Sequence, residues 1–146
     1  MAVTLRFLMG LLAGGVAAYL LGSILNSQFV INAHSVPVSF GDRFNMTMFD
    51  ISNMVLYLAI ILVAFAIAFL IAALLKRFLP KLSGIAYPIA GAAGIGVALG
   101  LMYIMFQTVP ISGARSAFGF LSQMLAGAVG GWVFGKILTR DTANRT

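Results

Sequence analysis

Four long apolar runs dominate this sequence, and their length decides which solvent the chain can fold in. They are Phe7–Leu25, Met54–Leu75, Ile85–Phe106 and Ala117–Leu138, and none carries a charged side chain in its middle. About 20 apolar residues in helical form cross the hydrocarbon core of a bilayer. Inside that core a segment must satisfy its own backbone, so it is either a helix or part of a closed barrel. These runs are too long for barrel strands and do not alternate. The expected fold class is all-α integral membrane. It is a four-transmembrane-helix bundle forming one domain over residues 1–146. The helices are expected at about 5–26, 52–77, 84–107 and 115–138, with an outer loop at about 27–51. The first run has features of a signal peptide, but it is long enough to span and no clean cleavage pattern follows.

Composition agrees. Charged residues make up 8% of the chain, against about 25% in soluble domains. Too few charges remain to cover a water-facing surface. There is no cysteine, which excludes disulfides and thiolate chemistry. The formal charge of +6 does not indicate nucleic acid here, because the basic residues flank the apolar runs.

That flanking predicts orientation. In a four-span arrangement Arg6, Lys76, Arg77, Lys81, Lys136, Arg140 and Arg145 share one side, and Arg43 and Arg115 lie on the other. Basic residues concentrate on the cytoplasmic side. Both termini are therefore expected in the cytoplasm, and the membrane is expected to be a bacterial inner membrane.

Small residues recur at steps of four. The first run has Gly10, Gly14, Ala18 and Gly22; the third has Ala92, Gly96 and Gly100; the fourth has Gly119, Gln123, Gly127, Gly131 and Gly135. That spacing keeps residues on one helix face. Bare faces let backbones approach, a main source of packing energy in lipid. Such glycine-zipper faces could close within a protomer or between protomers. The second run has no glycine and reads as the most lipid-exposed span. Leu11–Leu25 and Met124–Leu138 also resemble each other, with Gly14 matching Gly127 and Gly22 matching Gly135. The two spans run in opposite directions, so the likeness reads as convergence on one packing pattern.

In the outer loop Val36, Val38 and Phe40 alternate, as do Phe44, Met46 and Met48, around Gly41-Asp42. This suggests a short β-hairpin over the helix ends; the rival is an amphipathic cap in the lipid interface. Asp50, Ser52 and Asn53 offer N-caps to the second span, and Ser112 offers one to the fourth. Arg115 opposes the dipole at the start of the fourth helix. It is expected to pair with Asp50 or Asp42, with capture of an anionic lipid phosphate as the alternative. Gln123 is expected to bond a neighbouring helix. His34 lacks companions for a metal site or a hydrolytic triad. No metal, cofactor or catalytic residue is expected, and the chain is read as a non-enzyme.

Three functions remain. The first is a non-catalytic accessory subunit that assembles through its glycine-rich faces, with itself as a homo-oligomer or with a larger membrane protein complex. The second is a small oligomeric channel or facilitator for a neutral or weakly charged solute. The third is an anionic-lipid-binding membrane protein using Arg115.

Overall fold

A computed structural model describes residues 2–35 and 37–139. The order is α1 (Ala2–Ala33), α2 (Phe40–Asn53), α3 (Val55–Phe78), α4 (Ala86–Phe106) and α5 (Ala117–Thr139), with 3₁₀ turns at Pro80–Leu82 and Ser112–Ala114. Helices α1, α3, α4 and α5 are long and apolar enough to cross a membrane. This is the architecture of an integral membrane protein. Arg140 and Arg145, two of the residues used to predict orientation, lie outside the described residues, as does Val36.

α1 and α4 each pack against both α5 and α3, so α3 and α5 occupy opposite corners of the bundle. Phe65, Phe69 and Phe134 fill the space between those corners and are fully buried. The Phe69 and Phe134 rings stack with centroids 4.3 Å apart. Only 22% of the most apolar window of α3 is buried, against 28% for α4 and 39% for α1 and α5. The glycine-free span is thus the most exposed, because Leu, Ile and Val side chains keep other backbones away.

The segment between the first two spans differs from the expected hairpin. No strand occurs among the described residues, and Phe40–Asn53 is helical. Ser39 starts this helix: its hydroxyl accepts from the Asp42 N–H at 3.2 Å and donates to the Asp42 carboxylate at 2.6 Å. That is the geometry of a helix N-cap. Phe40, Phe44 and Met48 lie four apart, a spacing that fits one helix face as readily as strand alternation. α1 also continues past position 26 to Ala33. Its 32 residues span about 48 Å, well beyond the hydrocarbon core of about 30 Å.

The caps differ too. Asp50, Ser52 and Asn53 form the last turn of α2, and Ser52 and Asn53 donate back to the carbonyls of Met48 and Phe49. Ser112 begins a 3₁₀ turn, and Ser116 serves α5 by accepting from the Gly119 N–H at 3.0 Å. α3 ends at Phe78, ahead of Pro80, which opens the 3₁₀ turn.

Candidate functional site

Three features carry the polar and close-packing chemistry of the bundle. The first is the set of glycine contacts around α5. A side-chain carbon on Gly14 would lie 2.5 Å from the Gly130 carbonyl oxygen, and one on Gly130 would lie 2.5 Å from that of Gly14. Real contacts of this kind do not occur below 3.0 Å. On the other side of α5, carbons on Gly91 and Gly127 would overlap each other's carbonyls, and one on Gly131 would overlap the Tyr87 carbonyl. Gly119 is pressed against the Gly113 carbonyl. A carbon added to Gly10 would lie 3.0 Å from the Phe134 ring, and one added to Gly135 would lie 3.3 Å from the Tyr87 ring. Ala18 is buried beside Gly130. α5 is therefore gripped by α1 through one face and by α4 through another, within one protomer.

The third span uses a different stripe from Ala92, Gly96 and Gly100. Its buried residues are Tyr87, Gly91, Ile95, Leu99 and Met102. Ala92 is half-buried, a carbon added to Gly96 would lie 3.2 Å from the Met124 side chain, and Gly100 faces open space. Gly91 and Gly130 were missed by the sequence reading. A signal existed at Gly91, which lies in a four-step series with Tyr87, Ile95 and Leu99. Gly130 stands outside the four-step series because it serves the second face of α5.

The second feature is a pair of polar ties. Gln123 is buried in α5; its Nε2 donates to the Gly22 carbonyl at 2.9 Å, and its Oε1 accepts from Tyr57 Oη at 3.2 Å. One amide thus joins α1, α3 and α5, and Gly22 leaves room for it. Nearer the outer end, Asn26 Oδ1 accepts from the Gly113 N–H at 2.7 Å, and Asn26 Nδ2 donates to the Asp50 carboxylate at 2.8 Å. Ser27 donates to the same carboxylate at 2.7 Å. Tyr19 donates to the Ile51 carbonyl. These bonds fasten α2 and the 3₁₀ turn at Ser112 to α1. Asn26 and Gly113 were not among the predicted site residues.

The expected Arg115 ion pair is not formed among the described residues. Asp50 is occupied by Asn26 and Ser27, and Asp42 by Ser39. Arg115 instead donates from Nε to the Val109 carbonyl at 3.0 Å, which holds its own loop. Beside it lies a small hollow of about 270 Å³ that includes Tyr103, Ser116 and Gly100. His34 is exposed and bonds the Val30 carbonyl at 2.8 Å. No group of three metal-ligating side chains occurs among the described residues.

The third feature is a knob made by the C-terminal end of α1 together with α2. α2 turns polar residues toward α1: Arg43 donates to Gln28 at 2.8 Å, and Asp50 faces Asn26. Phe40, Phe44, Met48 and Phe49 stay exposed on the same helix, with Phe40 85% exposed. Met46 and Ile51 share the half-buried side with Arg43 and Asp50, and Ile51 packs on the core, so the exposed aromatic residues are apolar surface beyond what the bundle covers. No known protein family, curated protein or solved structure matches the chain.

Proposed function

We propose that this chain is a non-catalytic membrane subunit that assembles, with a second copy or a larger membrane complex, through its outer knob. The observation that carries this reading is the cluster of large apolar side chains that α2 leaves exposed, Phe40, Phe44, Met48 and Phe49. Exposed aromatic residues on an ordered helix are the side chains that dominate protein interfaces. The glycine faces build the protomer, and assembly falls to surfaces that remain open. The seven-to-two distribution of basic residues supports cytoplasmic termini and an inner-membrane location, with the knob outside.

The test is the mass of the particle purified in native lipid. The wild type should run as an oligomer or as part of a complex. The double variant Phe40→Ser, Phe44→Ser should run as a single chain with unchanged thermal stability. A wild-type particle of one chain without partners, or a variant of unchanged mass, would defeat the proposal.

The third reading has its own support. The hollow beside Arg115 offers a cation, a tyrosine and a serine hydroxyl, a set suited to a phosphate group. Arg115→Ala should then release bound anionic lipid. The channel reading gains nothing from Gln123, whose amide is engaged with Gly22 and Tyr57 in the bundle core.

A further inference from the structure

A groove of about 890 Å³ runs between α3 and α4. Its floor is made of small residues, Ala64 and Ala68 on α3 and Ala90, Gly94 and Ala98 on α4. Gly94 brings the two helices together, since a carbon added there would meet the Ala68 methyl at 3.3 Å. Isoleucine and valine side chains such as Ile67, Ile71 and Val97 form the walls. From Ala59 to Leu79 the α3 wall runs about 30 Å, the depth of the hydrocarbon core.

Lys76 is the one polar side chain lining this groove, and it stands at one end. Its ammonium lies 4.5 Å from the centroid of the Tyr87 ring. That ring is itself fixed, edge-on to Phe69 and Phe134. A cation held over an aromatic face keeps its charge and loses much of its freedom. Asp42 and Asp50 are the only carboxylates among the described residues, and both lie at the opposite end of the bundle. Lys76 therefore has no described carboxylate to pair with, while Arg77 and Lys81 add positive charge nearby.

We infer that the groove holds an anionic phospholipid of the leaflet that Lys76 faces, with the phosphate at the Lys76 ammonium and an acyl chain along the alanine floor. A molecule with one charged head and a long apolar tail matches a groove with one terminal cation and apolar walls. A second copy lying parallel in the membrane matches it less well, because its described carboxylates, Asp42 and Asp50, would again sit far from Lys76. This inference depends on the membrane-spanning architecture and is independent of assembly through the knob. A lipid-bearing single chain would sink the assembly proposal alone.

The experiment reconstitutes the full chain in bilayers of equal phosphatidylglycerol and phosphatidylcholine, extracts it gently and reads retained lipid by native mass spectrometry. The wild type should retain phosphatidylglycerol over phosphatidylcholine by about fivefold, the ratio expected from one basic side chain at a membrane surface. Lys76→Gln should bring the ratio close to unity, and Lys76→Arg should preserve it. Ala93→Phe, at an exposed position on the groove wall, should lower retention of both lipids. Equal retention of the two lipids by the wild type, or an undiminished ratio in Lys76→Gln, would overturn the inference. So would efficient disulfide dimerisation of Ala93→Cys in the bilayer, which would place a second copy over the groove.

Discussion

Gly14 and Gly130 face each other across the α1–α5 contact, and a carbon added to either would lie 2.5 Å from the other's carbonyl oxygen. The two backbones touch with no side chain between them. In lipid, where apolar side chains gain nothing by leaving one another for the solvent, such contact is what joins helices. The cost of glycine in a helix, about 1 kcal/mol relative to alanine in water, is offset by that approach.

Replacement of Gly130 by Leu should therefore destabilise the bundle by about 3 kcal/mol, because the new side chain forces the backbones apart. Gly100→Ala is the matched control: nothing lies within 4 Å of the added carbon, so stability should hold or rise by up to about 1 kcal/mol. Unfolding in mixed micelles measures both. Equal effects at the two positions would show that the contact is not what the bundle depends on.

The Gln123 amide ties three helices. Gln123→Leu should cost about 1 kcal/mol, the scale of interhelical hydrogen bonds in membranes. Combined with Tyr57→Phe, the loss should be less than additive, since both changes remove one shared bond. Strict additivity in that cycle would mean that the two groups act separately.

Asn26 holds the Gly113 N–H from a different helix at 2.7 Å. Asn26→Leu should free that amide and the 3₁₀ turn at Ser112, and hydrogen exchange over residues 112–116 should quicken. The amides in the middle of α5 should keep their protection. Unchanged exchange at Gly113 would remove Asn26 from its fastening role.

Orientation can be checked directly because the chain has no native cysteine. Ser83→Cys should react with an impermeant maleimide only from the cytoplasmic side, and Asn45→Cys only from the outside. Both positions are exposed. Labelling of the two cysteines from the same face would reverse the inside assignment of Lys76, Arg77 and Lys81 relative to the knob.

The four spans were legible because the requirement for about 20 apolar residues is hard to meet by chance. Their internal faces were only partly legible. α5 presents glycine on two sides, so a single four-step series through Gly127 and Gly131 left Gly130 unexplained. In α4 two four-step series run one position apart, and the inward one is the mixed series Tyr87, Gly91, Ile95 and Leu99, not the small-residue series Ala92, Gly96 and Gly100. The outer segment misled because Phe40, Phe44 and Met48 satisfy strand and helix periods together; the Ser39–Asp42 cap favours the helix. The meeting of Asn26 with Gly113 joins positions 87 residues apart, and no local pattern encodes such a pair. Arg115 was expected to seek a carboxylate, but the nearer Val109 carbonyl meets its need.

The grip of α1 and α4 on α5 has a consequence for how the protein is made. α5 is the last of the four spans, beginning at Ala117, so Gly14 reaches the bilayer on the order of 100 residues before its partner exists. At translation rates of about 5–20 residues per second, that delay is about 5–20 s. Throughout it, α1 lies in the membrane with its glycine surface bare, joined late in the interval by α4 (Ala86–Phe106), and both are open to capture by other hydrophobic segments being inserted nearby. The newborn chain is most vulnerable in this interval, and a ribosome stalled before Ala117 would leave three spans without the helix that closes them.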